Sequence, residues 1–289
     1  MSRRLLLILA ACIAVLHFSI IIFMLSPLYS TRSSLYGTRY VSRFGYKHPS
    51  VDWCKELKLR IPPSQNVVAL VSYPGSGNTW LRYLLQQATG IMTGSVYMDY
   101  GLKLHGFPAE NVTDGSVLVV KTHETPTTNR KYDSAILLIR NPRDALLADF
   151  NRLHKGHIGT APKSAFKRKS NEHRSSWSKY VSVELTGWES MHRMWLTTFK
   201  GPLHIVFYET LVRDTRMTLQ RTLDFLNHTV DEEDMSCALA YKEGIYRRKK
   251  KYKDFDPYTP NMYVAIQTVW HNVLNMVIDY QRTVQNVTY

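Results

Sequence analysis

The sequence predicts an α/β layered domain on a central, mostly parallel sheet flanked by helices, preceded by an N-terminal transmembrane helix. Three observations lead there. Beyond Asn66, short apolar strand-like runs at residues 67–71, 117–120, 135–139 and 203–207 alternate with helix-like segments, the pattern of a parallel sheet. The first run passes through a Gly-rich turn directly into a helix-like stretch. Residues 5–25 carry no formal charge apart from a protonated His17, and about 20 apolar residues span a bilayer.

Taken in order, residues 1–4 form a short cytoplasmic tail, because Arg3 and Arg4 precede the apolar run. That run exceeds the roughly 7–15 apolar residues of a signal peptide, so a type II signal anchor is expected, with a cleaved signal as the alternative. Everything after it would then be lumenal or extracellular. Sequons at Asn111, Asn227 and Asn286 agree with that address, although each tripeptide also arises by chance. Residues 26–65, rich in Ser, Tyr, Arg and Pro, read as a stem, and residues 66–289 as the folded domain. Cys12 lies in the apolar run. Cys54 and Cys237 are an even pair, open either to a disulfide or to two buried thiols.

A net charge of +14 over 289 residues points to anionic partners. No zinc-finger spacing, RNA-recognition signature or basic zipper is present, which disfavours nucleic acid. Ligands of parallel sheets collect at the carboxyl ends of the strands, so the residues just after each run matter most.

The first run ends in Tyr73-Pro74-Gly75-Ser76-Gly77-Asn78, followed by helix-like Thr79, Trp80, Leu81, Leu84 and Leu85. Strand, glycine turn, helix aims unpaired backbone N–H groups at a phosphate; a tight turn that binds nothing is the plainer reading. A nucleoside triphosphatase loop needs a Lys after its last Gly. Here Asn78 follows Gly77, and no Lys lies between Leu59 and Lys103, which weighs against an ATP enzyme.

After the second run come Lys121-Thr122-His123-Glu124. A histidine at a strand end can take a proton from a hydroxyl near neutral pH, or simply hydrogen-bond in a loop. After the third run come Arg140-Asn141-Pro142-Arg143-Asp144, which put a guanidinium beside a helix start where a phosphate could sit. A run after the fourth strand, residues 211–226, reads as one amphipathic helix, and Tyr208 is assigned no chemistry. Trp188, Met191, Met194, Trp195 and Leu196 read as one buried helix face. Asp256-Pro257-Tyr258-Thr259-Pro260 reads as a loop before a C-terminal helix.

The ordered set Y-P-G-S-G-N-T-W, K-T-H and R-N-P-R resembles the sulfotransferases, which use PAPS (3′-phosphoadenosine 5′-phosphosulfate). Their 5′-phosphosulfate loop reads Y-P-K-S-G-T-T-W. The resemblance implies that Ser76, Gly77, Asn78 and Thr79 hold the 5′-phosphosulfate, with Trp80 near the adenine. It also implies His123 as general base, Lys121 as charge stabiliser and Arg140 as the main 3′-phosphate contact. Arg247, Arg248 and Lys249 would belong to a late basic segment closing over that phosphate, the alternative being a solvated charge run. Two positions depart from the pattern. The loop's basic residue falls on Gly75, and a serine eight residues after the motif arginine falls on Ala148. Lys121 is expected to cover for the first, and Asn151 is the residue placed to replace the second. The wording is most similar to WSC-domain-containing sulfotransferases, although the chain is too short to hold their WSC domains. The expected activity is sulfuryl transfer from PAPS to a glycan hydroxyl in the Golgi lumen, from a single-pass membrane protein, with no metal required. The alternatives are an inactive sulfotransferase-fold scaffold and, third, a nucleotide kinase.

Overall fold

A computed structural model describes residues 51–126, 131–167, 176–246, 251–252 and 254–287. All elements below lie in one compact unit, Ser50–Tyr289. The expected membrane anchor at residues 5–25 lies outside the described residues. Among the described residues, no helix is long and apolar enough to cross a membrane.

Five strands form one sheet: β1 (Val68–Ser72), β2 (Gly94–Ser95), β3 (Val120–Thr122), β4 (Ser134–Ile139) and β5 (Leu203–Phe207). Their spatial order is β2-β3-β1-β4-β5, and every pairing is parallel. The chain therefore leaves central β1, fills one side of the sheet, then crosses to the other. The carboxyl end of β1 is the switch point of such a sheet.

Successive residues of the central strands point to opposite faces, and both faces are covered. Ala69, Val71, Ala135, Leu137 and Ile139 pack on one side with Trp177, Trp188 and Trp195. Leu70, Ile136, Leu138 and Val206 pack on the other with Leu81, Leu84, Leu85, Leu219 and Leu223. This double burial explains why the strands read as continuous apolar runs rather than alternating ones.

The helices are α1 (Asn78–Thr89), α2 (Tyr100–Leu104), α3 (Pro142–Lys155), α4 (Ser176–Thr197), α5 (Tyr208–Arg213), α6 (Thr215–Phe225), α7 (Glu232–Ala240) and α8 (Pro260–Val287). In α3, Pro142 opens the first turn, the Asn141 side chain accepts from the Arg143 N–H, and Arg152, His154 and Lys155 occupy the last turn, which suits the helix dipole.

Three sequence expectations change. The helix expected over 211–226 is two helices, because Asp214 ends α5 and its side chain caps α6 by accepting from the Met217 N–H. Of the strand-like run expected at 117–120, only Val120 is strand, at the start of β3, although Val117, Leu118 and Val119 are buried beside it. Strand β2 has two residues, too few for any periodicity to announce. The segment expected as stem is packed from Val51 onward: Trp53 lies against Tyr83, and Lys58 bridges Ile91. Cys54 and Cys237 form a disulfide with Cα atoms 6.0 Å apart, tying that segment to α7. Asn111 and Asn227 are exposed, each at positive φ in a turn. The Asn286 side chain lies outside the described residues.

Candidate active site

Between β1 and α1 the chain turns through Gly75 and Gly77, at φ 81° and 96°. A Cβ on Gly75 would lie 2.3 Å from the Ala145 carbonyl oxygen and 2.8 Å from the Asp149 nitrogen; one on Gly77 would lie 2.7 Å from the Tyr208 ring. The loop is thus held between α3 and Tyr208, and only glycine combines these dihedrals with that closeness. Leu81 makes the first backbone bond of α1, to the Gly77 carbonyl. The N–H groups of Asn78, Thr79 and Trp80 are not consumed by the helix, so the positive end of α1 faces the cavity they line.

The side chains of this loop do less than expected. The Asn78 amide donates to the Leu70 carbonyl and the Ser72 hydroxyl, at 3.0 and 3.1 Å, and so braces the loop against β1. Ser76 is fully buried, and its hydroxyl has no partner among the described residues. What this loop offers an anion is backbone, with Thr79 and Trp80 alongside.

His123 follows β3 directly. Its Nδ1 lies 2.6 Å from the Ser72 carbonyl oxygen, which can only accept, so Nδ1 carries the proton and Nε2 is left as the basic atom. Its backbone N–H donates to the Tyr97 hydroxyl, and the Tyr97 ring stacks on the imidazole at 5.5 Å. Lys121 is 7% exposed, with its ammonium 5.7 Å from the centre of the same ring. Burial, then the neighbouring Arg82 cation, push the Lys121 ammonium down to about 8. Burial, then the Lys121 charge, push His123 down to about 3. A buried ammonium thus stands beside an imidazole kept neutral.

Arg140 leaves β4 toward the loop. It donates to the Gly75 carbonyl at 2.8 Å, and its guanidinium lies 4.2 Å from the Tyr208 ring centre. Its Nε is buried and has no hydrogen-bond partner among the described residues. Trp80 stands edge-on to Tyr208 and donates its indole N–H to the Lys242 carbonyl.

These groups line one cavity of about 970 Å³. Its wall includes Gly75, Gly77, Thr79, Trp80, Arg140 and Tyr208, together with Tyr97, Asp99, Tyr100, Lys121, His123, Arg152, His157 and Tyr252. On that wall His157 Nε2 lies 2.8 Å from Asp99 Oδ2, and that hydrogen bond holds the Asp99 carboxyl well below the usual carboxylate range.

Residues 65–251 match the Sulfotransferase domain family. The chain belongs to that family. It is 47% identical over 245 residues to a WSCD family member of Aedes aegypti, covering 76% of each chain. It is 51% identical over 202 residues to a WSCD family member of Drosophila melanogaster, covering 70% of this chain and 63% of the fly protein. The fold is similar to that of mouse sulfotransferase SULT7A1, solved in complex with PAP, with a TM-score of 0.50 at 15% identity over 78% of this chain and 89% of that one.

Within this sulfotransferase, the two departures from the family pattern touch each other: a Cβ at Gly75 would lie 3.2 Å from the Ala148 Cβ. The loop has settled onto α3, leaving no room at position 75 for the family's basic side chain. Asn151 does not stand in for the serine through its oxygen, which accepts from the Ala161 N–H at 2.8 Å. Arg247, Arg248 and Lys249 lie outside the described residues. Sequence reasoning missed Tyr208, Tyr97 and Arg152. Tyr208 directly follows the fourth strand-like run, so the strand-end rule pointed at it. Tyr97 and Arg152 carry no motif, and only folding brings them to the cavity.

Proposed function

We propose that this sulfotransferase moves a sulfuryl group from PAPS to a hydroxyl of a glycan in the Golgi lumen, from a single-pass anchor at residues 5–25. One observation carries the reading: the first residues of α1, Arg140, Lys121 and His123 all line one cavity.

In this reading the N–H groups of residues 78–80 hold the 5′-phosphosulfate. Arg140, with its unsatisfied Nε, holds the 3′-phosphate, and Trp80 and Tyr208 flank the adenine. The acceptor packs against Tyr97, Tyr100 and Tyr252 of the cavity wall, whose rings suit the apolar face of a sugar. His123 Nε2 takes its proton as the oxygen attacks sulfur in line. The low basicity of the free imidazole rises once the anionic donor sits beside it. Lys121 lowers the energy of the charge that develops on the transferring and leaving oxygens.

The second reading, binding without turnover, rests on the closure of Gly75 onto α3, which removes the family's loop cation. Radiolabelled PAPS supplied to the membrane-bound protein with a panel of glycans separates the two. Label in a glycan, lost with His123→Ala, supports transfer. Retention of donor with no label in any acceptor supports the scaffold. Preference for ATP over PAPS would move the assignment to the kinase reading.

A further inference from the structure

A basic residue is missing at position 75, yet a cation is needed where the phosphate–sulfur bridge would break. The face of α3 that receives the loop continues one turn further, from Ala148 to Arg152, and both residues line the cavity. Arg152 is aimed by its neighbours. Its Nε donates to Asp149 Oδ1 at 2.7 Å, and its Nη2 pairs with the same oxygen at 2.7 Å. The other Asp149 oxygen accepts from the Tyr180 hydroxyl at 2.7 Å. The Asp149 side chain is 6% exposed, whereas that of Arg152 is 39% exposed. A buried carboxylate locked from both sides therefore presents a partly open guanidinium to the cavity. The loop packs on this same carboxylate's residue, since a Cβ at Gly75 would lie 2.8 Å from the Asp149 nitrogen. Arg152, Lys121 and His123 all line this cavity.

We propose that Arg152 acts beside Lys121 in place of the missing loop cation, its guanidinium contacting the oxygen that bridges phosphorus and sulfur in the donor, with Asp149 as its positioning residue. The inference rests on the donor reading above. As the bond from sulfur to that oxygen breaks, the bond from sulfur to the acceptor oxygen forms and the acceptor proton passes to His123. The bridging oxygen stays with PAP carrying the negative charge, which Arg152 neutralises.

The test compares two ligands on the full chain by calorimetry: PAP, which has the 5′-phosphate oxygen in question, and adenosine 3′-phosphate, which lacks it. Arg152→Gln is expected to weaken PAP by about tenfold or more, one charge-assisted contact, and to leave adenosine 3′-phosphate within about twofold. Arg152→Lys should recover part of the loss. The double variant Asp149→Asn/Arg152→Gln, which leaves no orphaned carboxylate, should behave as Arg152→Gln does. Equal losses for both ligands would make Arg152 structural, and unchanged PAP binding would make it a bystander; either result overturns the proposal alone. A wild-type chain that binds adenosine 3′-phosphate but gains nothing from the 5′-phosphate also overturns it. One that binds neither overturns the donor reading itself.

Discussion

Lys121 shows what the site costs the protein at the scale of one residue. Its ammonium is buried, and its pKa falls from 10.5 to about 8, roughly 3 kcal/mol against folding with the charge in place. The sign follows from proton binding. Between pH 8 and 10.5 the unfolded chain holds this proton more than the folded one, so stability rises with pH there and is lost as pH falls through about 8. Lys121→Met should therefore raise the melting temperature at pH 7, with an advantage that shrinks above pH 8, while removing donor binding. A lowered melting temperature at pH 7 would mean that the charge is already compensated in the free protein. His123 was legible from K-T-H, but its tautomer was not, because that depends on the Ser72 carbonyl across the sheet. His123→Ala should lower turnover by about 10²–10⁴-fold with little change in PAP affinity, as read by single-turnover kinetics.

Among elements, the strand–loop–α1 unit was the most legible, since its glycines, apolar run and helix start are contiguous in sequence. The contact between that loop and α3 was not. Gly75 and Ala148 read as two separate losses, whereas packing makes them a matched pair. A pattern of residue types gives positions along the chain; which vacant spaces fall together depends on how α3 crosses the loop. Gly75→Ala tests this directly. The added methyl would stand 2.3 Å from a backbone oxygen, at a φ of 81°. Displacing the loop should cost about 1–3 kcal/mol in urea unfolding, with weaker PAP binding. Wild-type stability and affinity would show that the loop does not rest on α3. The α5–α6 break was readable in principle from Asp214-Thr215, a capping pair, but the surrounding apolar spacing masked it.

For the whole molecule, composition and the run of four apolar strands sufficed to foresee a parallel α/β domain, because both sheet faces are buried. The boundary near residue 66 was not foreseeable: residues 51–65 lack periodicity, and what holds them is Trp53 against Tyr83, the bridge from Lys58 to Ile91 and the link from Cys54 to Cys237, 183 residues away. Removing both thiols with Ser should cost about 2–5 kcal/mol and lower the melting temperature, an effect reproduced by reductant on the wild type. Equal melting of oxidised and reduced protein would count against that staple. The account depends above all on one cavity being a donor site formed by α1, Arg140, Lys121 and His123. The most direct measurement is titration of the full chain with PAP in the presence of excess ATP. Saturable PAP binding that ATP does not displace, and that Arg140→Met weakens by about tenfold or more, is the predicted result. A folded chain that fails to bind PAP, or that gives it up to ATP, would contradict the account.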